Sequence, residues 1–397
     1  MPATRDAHGW FPAAAAVSAA GWGANQFTPL SMVYRAQRHW AAVPVASMFT
    51  TYLLGFLPAL LLGGPAANRW GRRRVVRPAL VLSAAASLLL ATAALLQPLV
   101  YVSRLLTGVA AGLVLSAGTT WLQELSAASG SPDAGGRRAT YATGGGFAAG
   151  ALIAGVLTEW LPLPLLLPCL VHALLALALV HATRGLPETA VPRAVTVPEP
   201  GPARRRRCPF MHPRFIGVVL PAGPAVFAAS TVAYVVLPPL VANRTLGYAP
   251  VFSGAVTALT LAVGIGVQPL AARLDHARSA RATLVAMLTV IGGLLVSALA
   301  VHWNSAGLVL TAAVLLGAGY GLTLSSGLRE IRRLAPPGTR ASAVSLYHGV
   351  TYSGFLTPLL LAVTARSAPY PALLAGLAAI GLLCLMITAW HSRRHLP

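Results

Sequence analysis

The amino-acid sequence predicts an all-α membrane protein with twelve transmembrane helices in two pseudo-symmetric six-helix bundles. Of its 397 residues, 56% are hydrophobic and only 9% are charged, whereas a soluble domain has about 25% charged residues. Apolar windows of about 20 residues, long enough to cross a hydrocarbon core about 30 Å thick, recur from Trp10 to His391. An internal repeat divides these windows into two sets of six.

The apolar windows predict the positions of the helices. In chain order the predicted helices are 10–34, 44–66, 78–97, 99–122, 140–160, 163–183, 214–241, 249–271, 281–303, 305–327, 341–364 and 369–391. The run from Trp10 to Ala20 has the length of a signal-peptide core. Because largely apolar sequence continues to Tyr34, we predict a retained first helix instead.

The segment from Gly63 to Arg77 separates the second and third predicted helices. Its sequence, GGPAANRWGRRRVVR, contains five arginines and three glycines. Since both flanks are apolar, we predict a tight, cationic turn at the membrane surface. Such turns favour the cytoplasmic side.

The distribution of arginine predicts the orientation of the helices. If the N-terminus lies in the cytoplasm, the cytoplasmic segments hold 24 arginines and the outer loops hold four, with Arg104 left inside a helix. An excess of this kind is typical of cytoplasmic segments. We therefore predict a multi-pass protein of the cell inner (plasma) membrane with both termini in the cytoplasm.

One long polar segment lies between the sixth and seventh predicted helices. It is rich in proline and arginine, which disfavours a packed domain and indicates an extended connection. We predict an N-terminal six-helix bundle over 1–183, a cytoplasmic linker over 184–213 and a C-terminal six-helix bundle over 214–397. The run Arg204 to Arg207 could dock to anionic lipid or serve only as a topology signal.

An internal repeat supports the division into two halves. Gly108 to Gly118 reads GVAAGLVLSAG and Gly317 to Gly327 reads GAGYGLTLSSG, with six identities in register. Glu124 and Glu330 each follow the last glycine of their copy within two helical turns. A parallel repeat of six helices is typical of transporters.

Composition and spacing exclude other classes of protein. The net charge of +21 comes from arginines beside the predicted helices, without zinc-finger or helix-turn-helix spacing, so no nucleic-acid partner is predicted. The three cysteines, Cys169, Cys208 and Cys384, lack CxxC spacing. No nucleophile and base pair or metal-ligand cluster is visible, so we predict neither an enzyme nor a cofactor.

Arg104 is the one arginine inside a predicted helix. A charge at the centre of a membrane helix costs about 2.5–3.5 kcal/mol, so a compensating partner is expected. All eight acidic residues lie at or outside helix ends, which leaves Asn25 and Gln26 on the first helix as neutral candidates. Alternatively, Arg104 extends outward to the membrane surface and has no role in transport.

Further polar side chains complete a candidate substrate cavity with Asn25, Gln26 and Arg104. They are Tyr52, Tyr234, Gln268, Tyr320, Tyr347 and His348. Each aromatic residue could instead pack or anchor at an interface. Tyr347 and His348 differ from the others because they sit together inside the eleventh predicted helix, where a histidine needs a partner. His172, also within a helix, has no polar neighbour to suggest a role.

The segment after the second helix resembles the signature G-x-x-x-D-R-x-G-R-R/K of the major facilitator superfamily of secondary transporters. The matching residues are Gly64, Asn68, Arg69, Gly71, Arg72 and Arg73, with asparagine where the acid belongs. Arg104 and Gly108 are similar to a second signature of this family on helix four. The resemblance implies a cytoplasmic gate in which Arg72 pairs with an acid at the inner end of helix four, where Glu124 lies. Alternatively, these arginines only set the topology.

The fifth predicted helix contains Gly146 and Gly150 in GxxxG spacing, which allows two helices to pack closely. The spacing also resembles the G-x-x-x-G-P signature of the family's drug exporters, although Ala151 stands where proline belongs.

These features predict a drug-efflux-like secondary active transporter that exports small, largely apolar compounds by alternating access. Protons are the predicted coupling ion, and the predicted partners are a small-molecule substrate and the lipid bilayer around a monomer. Uptake or facilitated diffusion of a small metabolite, and a non-transporting membrane receptor with the same fold, are the alternatives.

Overall fold

The computed structural model describes residues 9–92, 96–189, 212–276, 279–335 and 339–393. These residues form helices joined by turns, with one isolated bridge between His276 and Ser279. The predicted linker falls mainly on 190–211. That range includes the run Arg204 to Arg207 and Cys208, which lie outside the described residues.

Eleven helices in the described part of the chain are long and apolar enough to cross a membrane. Two shorter helices precede them, α1 (Phe11–Asn25) and α2 (Phe27–Arg38). The eleven are α3 (Ala42–Trp70), α4 (Arg72–Thr92), α5 (Gln97–Ala128), α6 (Pro132–Trp160), α7 (Leu167–Gly185), α8 (Phe215–Leu240), α9 (Ala249–Leu274), α10 (Arg281–His302), α11 (Ala306–Leu334), α12 (Ala343–Thr364) and α13 (Tyr370–His391). The predicted all-α, multi-pass character of the chain is confirmed.

The prediction of one continuous first helix is wrong, because the helix is interrupted at Gln26. Pro29 lies one turn further along and has no N–H to donate to the carbonyl of Asn25, so a regular helical hydrogen bond is lost there. The interruption at Gln26 leaves backbone carbonyl groups near Ala24 and Asn25 within reach of side chains on neighbouring helices.

The predicted turn over 63–77 is also wrong in its extent. Helix α3 continues to Trp70 and α4 begins at Arg72, so the chain reverses at the single residue Gly71. Gly71 has a φ of 102°, a conformation that glycine adopts without the steric cost of a Cβ atom. The arginines of this segment therefore lie on helix ends, where their side chains have fixed directions.

Two compact units divide the chain. The first comprises residues 1–196 together with 247–258, and the second comprises 197–246 and 259–397.

In the first unit, α3 packs against α5 through glycines of α5. A Cβ atom at Gly108 would lie 2.1 Å from the carbonyl oxygen of Tyr52, and one at Gly112 would lie 2.5 Å from the carbonyl oxygen of Phe56. Only glycine permits this approach of two helix backbones.

The second unit has the same arrangement between α9 and α11. A Cβ atom at Gly317 would lie 2.3 Å from the carbonyl oxygen of Thr260, and one at Gly321 would lie 2.0 Å from the carbonyl oxygen of Gly264. Gly317 and Gly321 are the counterparts of the two glycines of α5 in the internal repeat. The repeated glycines thus have one packing role in both units.

The GxxxG pair of α6 packs on α1, as the helix-packing interpretation predicts. A Cβ atom at Gly146 would lie 2.3 Å from the carbonyl oxygen of Ser18, and one at Gly150 would lie 2.2 Å from the Cα of Trp22. At Gly145, by contrast, no other helix among the described residues has a heavy atom within 4 Å of the Cβ position.

These positions give a matched test of the α1–α6 interface. Gly150→Leu should lower the free energy of unfolding by about 3 kcal/mol, since α1 must move to admit the side chain. Gly145→Leu, on the same helix, should change it by less than about 0.5 kcal/mol. Unfolding of the detergent-solubilised protein by SDS measures both, and equal losses would show that α1 and α6 do not pack in this way.

Candidate functional site

The arginine signature of the first unit forms a cluster around Arg72. The Arg72 side chain is buried, with 9% of it exposed. Its Nε and Nη2 donate to the two carboxylate oxygens of Glu124 at 3.2 and 3.0 Å, and Nη1 donates to the Oδ1 of Asn68 at 2.6 Å. The Arg72–Glu124 pairing that the family resemblance implies is therefore present, and Asn68 accepts a hydrogen bond where the family has an acid.

Glu188 adds a second carboxylate, which was not predicted from the sequence. Its two oxygens accept the backbone N–H groups of Arg72 and Arg73 at 2.7 and 3.1 Å. These are the first N–H groups of α4, and a negative charge at a helix N-terminus is favourable. A Cβ at Gly71 would lie 2.5 Å from Glu188 Oε2, so the glycine also makes room for the carboxylate.

Thr189, the residue after Glu188, also contacts this cluster. The Thr189 hydroxyl donates a hydrogen bond to Glu124, so two consecutive residues after α7, Glu188 and Thr189, contact the cluster. The available signal in the sequence was an acid three residues beyond the end of α7, but nothing local placed it beside a segment 116 residues earlier.

The remaining signature residues contribute less to the cluster. Arg73 donates from Nη1 to the carbonyl oxygen of Arg184 at 3.1 Å, and the exposed Arg69 lies 5.8 Å from the ring centre of Trp70. At Gly64 an added Cβ would make an ordinary 3.4 Å contact with Ser116 Oγ. The preceding residue, Gly63, makes the closer contact, because a Cβ atom there would lie 2.9 Å from the Cβ of Ser116.

Arg104 is buried inside the first unit, with 1% of its surface exposed. Its Nη1 donates to the carbonyl oxygen of Ala24 at 3.0 Å, and its Cζ lies 4.8 and 5.0 Å from the ring centres of Phe27 and Tyr52. Cation–π contacts are strongest for such desolvated cations. The alternative in which Arg104 extends to the membrane surface is therefore wrong.

The expected pairing of Arg104 with the side chains of Asn25 and Gln26 is wrong in detail. Arg104 does contact the first helix, but it uses the backbone carbonyl that precedes these residues. The amide of Asn25 donates to the carbonyl oxygen of Phe147 at 3.2 Å, and that of Gln26 donates to Ser87 Oγ at 2.8 Å. The Oε1 of Gln26 is buried and accepts no hydrogen bond from the residues that the structure describes.

His172 is fully buried and continues the chain of hydrogen bonds from Gln26. Its Nδ1 lies 2.7 Å from Ser87 Oγ, and its Nε2 lies 3.0 Å from the carbonyl oxygen of Ala19. A carbonyl only accepts, so Nε2 carries the hydrogen and Nδ1 accepts from Ser87. The expectation that His172 lacks polar neighbours is wrong, because its partners lie on other helices.

The second unit contains an aromatic cluster centred on Phe227. The ring of Phe227 stacks on Tyr352 with centres 4.5 Å apart and lies 4.7 Å from Phe355 and 5.8 Å from Tyr320. His348 lies 6.3 Å from the Tyr352 ring. Of these residues, Tyr320 and His348 were predicted from the sequence. The others have no local sequence feature that distinguishes them from packing aromatics.

The other predicted residues of the second unit differ in their surroundings. Tyr347 is buried, and its hydroxyl donates to the carbonyl oxygens of Thr323 and Leu324 at 3.1 and 3.3 Å. Tyr234 is buried in a π-helical turn of α8, and Gln268 is half-buried where α9 is interrupted.

A second arginine–glutamate pair lies in the second unit. Arg214 Nε and Nη2 donate to the oxygens of Glu330 at 3.0 and 2.9 Å, and its Nη1 donates to the carbonyl oxygen of Ser392 at 3.0 Å. Like Glu124, Glu330 follows the last glycine of its copy of the internal repeat within two helical turns. Among the residues that the structure describes, no three His, Cys, Asp or Glu side chains come together to hold a metal ion.

Comparison with known proteins gives a family and a fold. A family model of the Major Facilitator Superfamily matches residues 12–358, whereas no curated protein matches the chain. The chain is similar to a POT family transporter solved in complex with 5-aminolevulinic acid, with a TM-score of 0.77 and 12% identity over 99% of this chain and 97% of that one.

Two further solved structures have a similar fold. The xylose transporter XylE from E. coli, in an inward open conformation, has a TM-score of 0.69 and 13% identity over 98% of this chain and 96% of that one. The nucleoside transporter NupG has a TM-score of 0.77 and 12% identity over 95% of this chain and 97% of that one. The likeness extends over nearly the whole length of each protein.

The two arginine–glutamate pairs should differ in their contribution to stability. The Arg214 and Glu330 side chains are 0% and 4% exposed, against 9% and 32% for Arg72 and Glu124. Glu330→Gln should therefore cost about 3 kcal/mol by leaving a buried cation without its counter-charge, and Glu124→Gln about 1 kcal/mol or less. SDS unfolding of both variants tests this difference, and an equal or reversed order would contradict it.

Proposed function

Because the chain belongs to the Major Facilitator Superfamily, we propose that it is a secondary transporter that exports small, largely apolar compounds by alternating access, coupled to protons. The family consists of transporters, so the chain is a transporter and not an enzyme. The observation that supports the proposed substrate class best is the burial of Arg104 against two aromatic rings. A fixed cation at this position disfavours cationic substrates.

We propose the site residues unit by unit. In the first unit, Arg104 and Tyr52 contact substrate, while Asn25 and Gln26 shape the interrupted first helix beside them. In the second unit, Tyr320 and the rings around Phe227 accept apolar, ring-bearing groups, with Tyr234 and Gln268 on the neighbouring helices. Tyr347 has a packing role in this proposal, since its hydroxyl is bonded to α11.

For proton coupling we propose His348. Its Nδ1 lies 2.8 Å from the carbonyl oxygen of Val344, so Nδ1 carries the hydrogen and Nε2 is the basic nitrogen. Within the described residues Nε2 accepts no hydrogen bond. Both nitrogens of His172, in contrast, are already used.

The proposed architecture has twelve membrane helices in two six-helix halves, 1–183 and 214–397, joined by the linker 184–213. Helices α1 and α2 together form the first crossing. The shared packing role of the repeated glycines supports this division. We propose that Asn68, Arg72, Glu124 and the residues around them form the cytoplasmic gate.

We place the protein in the inner (plasma) membrane as a monomer, with both termini in the cytoplasm, on the basis of the arginine count. A scan of single cysteines with an impermeant reagent in intact cells tests the orientation. Labelling of either terminus or of the linker from outside would contradict it.

Transport of a panel of dyes and antibiotics tests the proposed function. Cells that express the chain should accumulate less of the neutral or anionic aromatic compounds, and a protonophore should abolish the difference. In His348→Gln, the part of the export that depends on the proton gradient should be lost. Higher accumulation would instead indicate uptake, and no change for any compound would indicate a non-transporting receptor.

Arg104→Ala should reduce transport by at least about tenfold, because the substrate loses the fixed cation and the carbonyl of Ala24 loses its donor. Arg104→Lys keeps the charge on a flexible stem and should retain part of the activity. The exposed Arg137→Ala is the matched control. Unchanged transport by an Arg104→Ala protein that is inserted at normal levels would exclude this role.

A further inference from the structure

A groove between α4 and α7 combines three arginines with an apolar wall. It has a volume of about 550 Å³ and is lined by Arg73, Arg74, Arg77, Pro78, Val81 and Val180. The arginines come from the first turns of α4, at the membrane surface, and the apolar residues follow one to two turns further into the membrane-spanning segment. The groove is separate from Arg104 and from the aromatic cluster of the second unit.

Two of the arginines are held in place by α7. Arg73 Nη1 donates to the carbonyl oxygen of Arg184 at 3.1 Å, and Arg77 Nε donates to that of Val180 at 3.3 Å. Each bond uses one donor of a guanidinium that has five. The remaining donors of both side chains make no hydrogen bond to the residues that the structure describes.

Arg74 provides the third charge. Its side chain is exposed, and within the described residues it makes no hydrogen bond or ion pair. The acid at this end of α4, Glu188, already accepts the backbone N–H groups of Arg72 and Arg73. The groove has an excess of positive charge, since three arginines line it and Glu188 is one carboxylate.

The apolar part of the groove continues along an outward face of α4. Arg74, Pro78, Val81, Ala85 and Leu88 follow one another at helical spacing, and all are exposed. Val81 alone is 47% exposed. In a membrane-spanning helix, such a face contacts acyl chains.

We propose that this groove binds one anionic glycerophospholipid of the surrounding leaflet. Its phosphate contacts Arg73, Arg74 and Arg77, and one acyl chain lies along Pro78, Val81 and Val180. Basic pockets between membrane helices are suited to anionic head groups, and arginine forks match phosphate oxygens. A soluble anion would use only the arginines, whereas a lipid uses both parts of the groove.

Lipid binding to the full-length, delipidated protein tests the proposal. The protein is titrated in neutral detergent with phosphatidylglycerol or phosphatidylcholine of identical acyl chains, and bound lipid is counted by native mass spectrometry. Wild type should prefer phosphatidylglycerol by at least about tenfold, because each basic residue near the surface contributes about fivefold. The triple variant Arg73→Gln/Arg74→Gln/Arg77→Gln should lose this preference.

The control variant removes the same charge elsewhere. Arg137→Gln/Arg273→Gln/Arg281→Gln changes three exposed arginines outside the groove and should keep the preference. Since Arg73 and Arg77 also hold α7, the single variant Arg74→Gln separates lipid binding from folding, and it should weaken phosphatidylglycerol binding by about fivefold.

Three outcomes would overturn the proposal. One is an equal loss in the two triple variants, which would indicate a general effect of net charge. Another is unchanged binding by Arg74→Gln. The third is displacement of phosphatidylglycerol by soluble glycerol 3-phosphate at equal concentration, which would indicate a free-anion site that ignores the apolar wall.

Discussion

Polar groups buried in this protein must find their partners inside it, because the hydrocarbon around the helices offers no hydrogen bonds. The requirement accounts for the contacts of Arg104 with the carbonyl of Ala24, of Arg214 with Glu330, and of His172 with Ser87. Each joins helices that are distant in sequence. The polar contacts thus select which apolar helices become neighbours, a choice that apolar packing alone leaves open.

Glycines also determine the arrangement of the helices, because they let two helix backbones approach closely. Glycines of α5 and α11 lie against backbone carbonyls of α3 and α9, and glycines of α6 lie against α1. A Cβ atom at these positions would overlap a backbone atom. Only glycine therefore allows these pairs of helices to pack this closely. The repeated glycines in the sequence thus form the same kind of helix–helix interface in both units.

The charged residues near the membrane surface have distinct roles. Arg72 is neutralised by Glu124 and bonded to Asn68, and its backbone N–H is capped by Glu188. Arg73 and Arg77 are held by carbonyls of α7, while Arg74 faces outward. One short arginine-rich segment thus contributes to the proposed gate and to the proposed lipid site through different faces of the same helix.

The sequence alone determined that the chain is an all-α, multi-pass membrane protein of its family, since long apolar windows and a signature motif are local features. It also indicated Arg104 and the pairing of Arg72 with Glu124. Only the tertiary structure decided that the first helix breaks at Gln26, that the chain reverses at Gly71 alone, and that Glu188 and His172 have partners. The pairs Arg104–Ala24, Arg72–Glu188 and His172–Ala19 are separated by 80, 116 and 153 residues. Helical periodicity shows which face of a helix is apolar, but it does not show which other helix covers that face.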